Sequence, residues 1–251
     1  MIFSWPKIDE LMSKLPKAPL IEVIFEIRWS IEGEKEAQDV KYLPGDLYPL
    51  LKQEYPYREA VNPQAPVEFM LIHAPNQRFR YAKGDYPLVQ VGPGIVTVNT
   101  VDAKYFWNKF EAGVMDVFDK VEKVYKFKRT LNLALTYVDL LKFDFEKDNV
   151  LRFWEEYLGL TFKQSFLAGQ QAASNALLAL SYPTELGTLN VTIGRGKDNK
   201  GHDGIAVTTN LISGNIEPKN SLIKDWLNKS HELSSNLFKE MTKGKLYESF
   251  K

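Results

Sequence analysis

The sequence predicts an α+β fold: antiparallel sheet covered on one face by long helices, and built from two similar halves. Three observations predict it. Long β-forming stretches with alternating character run from Leu20 to Trp29 and again from Arg129 to Phe143. Each is followed by the same order of elements: a short helix, four strand-like stretches and a long amphipathic helix. The halves also align weakly in residues. Val91-Gly92-Pro93-Gly94 matches Ile193-Gly194-Arg195-Gly196, Asn108-Lys109 matches Asn228-Lys229, and Val117-Phe118 matches Leu237-Phe238. The expected organisation is an N-terminal arm over 1–16, a first repeat over 17–125 and a second over 126–251. Two such halves joined edge to edge would hide two strand edges and give a saddle-like sheet with a pseudo-two-fold axis.

The elements follow in order. In the arm, Ile8, Leu11, Met12 and Leu15 have helical spacing, and Pro16 and Pro19 end it. In the first strand, Ile21, Val23, Phe25, Ile27 and Trp29 share one face, and Leu20, Glu22, Ile24, Glu26 and Arg28 share the other. The second face is half polar, as in a sheet with one side solvated or used for binding. Residues 31–43 read as a charged loop, and Asp46 to Tyr55 as a short helix with Pro49 in its first turn. Strands are expected at Val67–Ala74, Gln77–Lys83, Pro87–Val91 and Ile95–Val101, with bends at Pro75-Asn76, Gly84-Asp85 and Gly92-Pro93-Gly94. A helix over 103–124 then carries Ala103, Phe106, Trp107, Phe110, Val114, Val117, Phe118 and Val121 on one face. In the second half, Leu131, Leu133, Leu135 and Tyr137 form one strand face. Asp148 or Asn149 caps a short helix through Leu158. Strands follow near 162–168, 176–182, 187–193 and 204–212. Asn220 or Ser221 caps a last helix whose apolar face is Leu222, Ile223, Trp226, Leu227, Leu233, Leu237, Phe238 and Met241.

Composition excludes several function classes. Lys+Arg 32 balances Asp+Glu 32, which argues against a partner held by bulk charge, such as DNA or an anionic membrane. No run of about 18 apolar residues suggests a membrane span. Met1-Ile2-Phe3-Ser4-Trp5-Pro6-Lys7 does not read as a signal peptide. With Cys 0, disulfides, thiol catalysis and Cys-ligated zinc are out, and the cytoplasm is the default compartment. None of His73, His202 and His231 has a second ligand at metal-binding spacing, so a structural or exposed role is expected for each. The loop Lys197–Gly204 lacks the final glutamate of a calcium loop. Gly194-Arg195-Gly196-Lys197 lacks phosphate-loop spacing and opens no helix. No cofactor or metal is expected.

Lys17-Ala18-Pro19-Leu20-Ile21-Glu22-Val23-Ile24-Phe25-Glu26-Ile27-Arg28, the turn Gln90-Val91-Gly92-Pro93-Gly94 and the following Trp107 resemble an uncharacterised, sporadically distributed prokaryotic protein family of about this length. The likeness spans most of the chain. Where that family carries Arg-Tyr-x-Asn on the strand after its first long helix, this chain has Thr136-Tyr137-Val138-Asp139. The resemblance implies no activity, catalytic residue or cofactor. A patchy distribution implies an accessory role such as defence.

The candidate binding residues are those that the strand patterns place on the polar sheet face: Glu22, Glu26, Arg28, Arg78, Arg80, Gln90, Asn99, Asn132 and Thr136, with Thr97 among them. Glu22 and Glu26 stand about 13 Å apart at roughly 3.3 Å per residue, too far for a glycosidase-type carboxylate pair. Phe79, Tyr81 and Tyr86 near Arg78 and Arg80 offer stacking surfaces for bases. The expectation is a non-catalytic binding or interaction protein that holds a protein, peptide or small ligand on the open sheet face or in the groove between halves. A saddle-like nucleic-acid binder is one alternative. An enzyme with an acidic site on Glu22 or Glu26 is another.

Overall fold

In the computed structural model, described for residues 15–61, 72–162 and 173–251, one antiparallel sheet runs through both halves. The first half contributes β1 (Leu20–Arg28), α1 (Gly33–Leu51), β2 (Tyr57–Ala60), β3 (Gln77–Arg80), β4 (Leu88–Gly92), β5 (Ile95–Val101), a 3-10 turn (Asp102–Lys104) and α2 (Trp107–Val124). The second contributes β6 (Asn132–Lys142), α3 (Val150–Leu158), β7 (Leu178–Thr184), β8 (Gly187–Lys197), β9 (Asp203–Ile212), α4 (Asn220–Met241) and α5 (Lys245–Glu248). The strand order is β2-β3-β4-β5-β1-β6-β9-β8-β7. It reads outward from the central β1–β6 pair in matching sequence: β5, β4, β3 on one side and β9, β8, β7 on the other. The sheet is open, and the 125/126 boundary is bridged by β1–β6 hydrogen bonds.

Alternation fixes the two faces. Val23, Phe25 and Ile27 of β1, Val96 and Val98 of β5, Leu133 and Leu135 of β6 and Val207 and Leu211 of β9 are buried in one apolar core. Onto that face pack α1, through Val40, Leu43, Leu47 and Leu51, α2, through Phe110, Val114, Val117, Phe118 and Val121, and α4, through Ile223, Trp226 and Leu227. Trp154 of α3 joins the same core, and Asn149 caps α3 by accepting from the backbone N–H of Leu151 and Arg152. No helix among the described residues is long and apolar enough to cross a membrane.

Several local expectations are corrected. α1 begins at Gly33, where a loop was expected, because Glu36, Val40, Leu43, Leu47 and Leu51 form a buried stripe that outweighs Pro44 and Pro49 inside the helix. The strand expected over 67–74 falls mostly outside the described residues, and Ile72 and His73 lie in a turn. A strand is found instead at Tyr57–Ala60. α2 starts at Trp107, so Ala103 sits in the 3-10 turn and Phe106, extended at φ −141°, is exposed. Leu222 of α4 is exposed too, and the residue before α4 is Lys219, with no side-chain cap. The helical arm and the strand near 162–168 lie outside the described residues, apart from Leu15, Pro16 and Phe162.

Candidate functional site

Two places collect polar side chains, one on each face of the sheet. The helix-free face carries the residues that strand alternation selects. Register puts Arg78, Gln90, Thr97 and Glu26 in one cross-strand row, and Arg80, Leu88, Asn99, Ile24 and Thr136 in the next. Most of them join a hydrogen-bonded chain. Arg80 Nε donates to Glu59 Oε1 at 3.0 Å, and Arg78 donates to Gln90 Oε1 through Nε at 3.1 Å and Nη2 at 3.0 Å. Gln90 Nε2 donates to Thr97 Oγ1 at 3.3 Å, Thr97 Oγ1 to Asn99 Oδ1 at 2.7 Å, and Asn99 Nδ2 to Glu22 Oε1 at 2.8 Å. Arg28 pairs separately with Glu26. Asn132 and Thr136 stand apart from this chain: Asn132 donates to Gly214 O, and Thr136 accepts from Asn210.

This face is not solvated throughout, as the alternation had led us to expect. Arg80, Leu88, Ile95, Thr97 and Asn99 are buried. The backbone at Ala74 lies against Gly92 so closely that a Cβ there would sit 2.1 Å from Ala74 O, which is why β4 ends in a glycine. Phe79 is buried in the core, Tyr81 is exposed, and the Arg80 guanidinium lies over the Tyr86 ring. The aromatic trio therefore does not form one stacking surface.

The second place is a cavity of about 530 Å³ on the helix side, at the start of β1. It is lined from both halves. Asp102, Tyr105, Phe106 and Trp107 come from the turn that leads into α2, Tyr137 and Asp139 from β6, and His231 and Ser234 from α4. β1 has an irregularity between Leu20 and Glu22 where it passes Asp139. Bulges of this kind re-aim side chains and recur next to binding sites. Asp139 pairs with Val207 of β9 across the ladder, so its carboxyl points to the helix side, between strand and helices.

The polar groups form a short relay. Tyr105 Oη and Tyr137 Oη lie 3.1 Å apart, and Tyr137 Oη lies 2.7 Å from His231 Nδ1. The His231 ring stacks on Trp107, with centroids 3.7 Å apart and planes 9° from parallel. Trp107 Nε1 donates to Asn228 Oδ1 at 3.1 Å, which ties α2 to α4 beside the cavity. Burial, aided by the charge of Lys239, pushes His231 down to about 4, so the imidazole is neutral at pH 7. One ring nitrogen then donates and the other accepts. Burial, aided by the charge of Asp102, pushes Asp139 up to about 7. Burial also holds Tyr137 well above its usual value. Asp139 is 7% exposed and pairs with no cation among the described residues. Ser234 Oγ is buried without a hydrogen-bond partner.

This arrangement can accept or give a proton near neutrality at Asp139 and can donate or accept hydrogen bonds at Tyr105, Tyr137 and His231. Among the described residues no group of three or more His, Cys, Asp or Glu is placed to hold a metal ion. Neither Glu22 nor Glu26 lines the cavity. Two signals in the sequence pointed to this place. Asp139 continues the parity of Leu131, Leu133, Leu135 and Tyr137, so a carboxylate falls on a buried strand face. His231 and Ser234 continue the α4 stripe of Ile223 and Leu227 at helical spacing. Comparison of the chain with protein-family models, with curated proteins and with solved structures finds no match.

Proposed function

We propose that the protein binds a small molecule in the cavity between its two halves and acts as a non-catalytic binding module. The observation that carries this reading is Asp139: a buried carboxyl, unpaired among the described residues, at the wall of an aromatic-lined cavity. Burying such a group costs stability unless it is paired, so its place at a cavity wall supports a role in binding. A volume of about 530 Å³ suits a compact ligand. The nucleic-acid reading has less support, because Arg28, Arg78 and Arg80 already bond Glu26, Glu59 and Gln90. The matching order of strands around β1–β6, with Trp107 and Asn228 joining the long helices of the two halves, supports descent from a duplicated unit with its ligand site at the join. The resemblance to a sporadic prokaryotic family supports an accessory role in the cytoplasm.

A thermal-shift screen of small fragments tests the binding reading. A ligand at ten times its Kd stabilises by about 1.4 kcal/mol, which is about 3–6 °C for a chain of this size. The expected result is a shift of that order for at least one fragment with the wild-type protein. The shift should vanish in Ser234→Phe, which fills the cavity, and persist in Thr192→Phe on the exposed side of β8. Fragments that shift all three proteins alike, or none, would reject the cavity as a ligand site.

A further inference from the structure

Asp139 faces a defined set of groups. Its own strand supplies Tyr137, the turn before α2 supplies Asp102 and Tyr105, and β9 supplies Thr209. α4 supplies His231 and Lys239, and the C-terminal segment supplies Tyr247 and Lys251. The cations in this set do not neutralise it. Lys251 pairs with Glu248 at 2.7 Å, His231 is neutral at pH 7, and Asp139 forms no ion pair with a described residue. The cavity thus holds a buried carboxyl, without an ion-pair partner among the described residues, beside the rings of Tyr105, Phe106, Tyr137 and Phe238. Aromatic walls favour cations through their ring quadrupoles. Ser234 Oγ, buried and unpartnered, adds an acceptor for an N–H donor.

We propose that the cavity takes an organic amine as its ammonium ion, with Asp139 as the counter-ion and the apolar body of the ligand against the aromatic wall. This assignment rests on the cavity being the ligand site. Entry of an ammonium ion supplies the charge that the protein withholds from Asp139. Where Asp139 is protonated, its proton leaves to solvent as the ammonium–carboxylate pair forms.

Titration calorimetry with phenethylamine, 3-phenylpropan-1-ol and 3-phenylpropionate separates the possibilities. The amine should bind at least about tenfold more tightly than the alcohol or the carboxylate at pH 8, a difference of about 1.4 kcal/mol. In Asp139→Asn that preference should fall below about twofold, since the charge pair is gone while the apolar wall remains. At pH 6 the wild-type protein should release a proton on binding the amine, seen as heats that differ between buffers of different ionisation enthalpy. This readout needs no variant. Binding of the alcohol or carboxylate as tight as the amine, or a preference that survives in Asp139→Asn, overturns the assignment. If probes of every charge bind equally and Ser234→Phe abolishes all of them, the cavity remains a ligand site and the amine is wrong. If no probe binds in a manner sensitive to Ser234→Phe, both ideas fall.

Discussion

Asp139 and Glu36 are buried carboxyls with opposite fates. Glu36 accepts from Tyr125 Oη at 2.5 Å and from Arg129 Nη1 at 2.9 Å, and its own backbone turn adds the N–H of Glu32 at 3.0 Å. The Tyr125 hydrogen bond is the largest influence, and together these donors hold Glu36 near 2 against the cost of burial. Asp139 has no such donors among the described residues, and burial leaves it near 7. The signs follow. A carboxyl depressed in the folded state adds stability above its ordinary value and loses it as the pH falls through the folded one. Glu36→Gln should therefore destabilise the protein at pH 7 by on the order of 3 kcal/mol. Its cost should shrink as the pH falls from about 4.5 towards 2, a window to be followed by urea denaturation. A carboxyl raised in the folded state does the reverse. The penalty of Asp139 grows from about pH 4 to about pH 7 and stays full above that. Asp139→Asn should leave stability at pH 4 unchanged and raise it at pH 8 by on the order of 1–4 kcal/mol. An Asn variant less stable than wild type at pH 8 would show that the carboxylate is compensated in the folded protein.

At the scale of elements, what was legible depended on whether side-chain pattern or chain-breaking residues dominated. The faces of β1 could be read because Glu22, Glu26 and Arg28 all fall on one side and Val23, Phe25 and Ile27 on the other. Alternation also selected the side of Arg78, Gln90 and Thr97, while register sets them in one cross-strand row. α1 was hidden by Pro44 and Pro49, although Val40, Leu43, Leu47 and Leu51 keep helical spacing through both. The cavity was hidden for a different reason. Its parts come from six separate stretches of the chain, and only packing of α2 against α4 brings Trp107 onto His231. Burial of the polar face over β4 and β5 was also out of reach, since alternation tells which side a residue takes and not what lies above it. Caps were legible where the side chain itself makes the bond. Asn149 Oδ1 accepts from Leu151 N at 3.0 Å and Arg152 N at 3.1 Å. Asn149→Ala should cost about 1 kcal/mol, read as a lowered urea midpoint at constant slope. An unchanged midpoint would mean that Trp154 and Leu158 anchor α3 without help from the cap.

For the whole molecule, the succession of strands and long helices was largely legible in the sequence, but the depth of the join was not. Residues 17–125 and 126–251 share one core and a long ladder in which Phe25 faces Leu135 and Glu26 faces Ala134. Removing either half would strip β1 or β6 of hydrogen bonds along one whole edge. Unfolding should therefore be a single event. Near- and far-ultraviolet circular dichroism should trace coincident urea transitions, and two resolved steps would show that the halves melt independently. The central place of β1 also has a consequence in time. It is synthesised before the other described strands, yet Glu22 pairs with Val101 on one side and Val138 on the other. On the ribosome its neighbours do not yet exist, and a hydrophobic ribbon must wait first for β5 and then for β6. Long sequence separation slows folding and leaves such segments open to wrong partners. Until β6 is made, β1 thus offers an unpaired edge that a chaperone would have to shield.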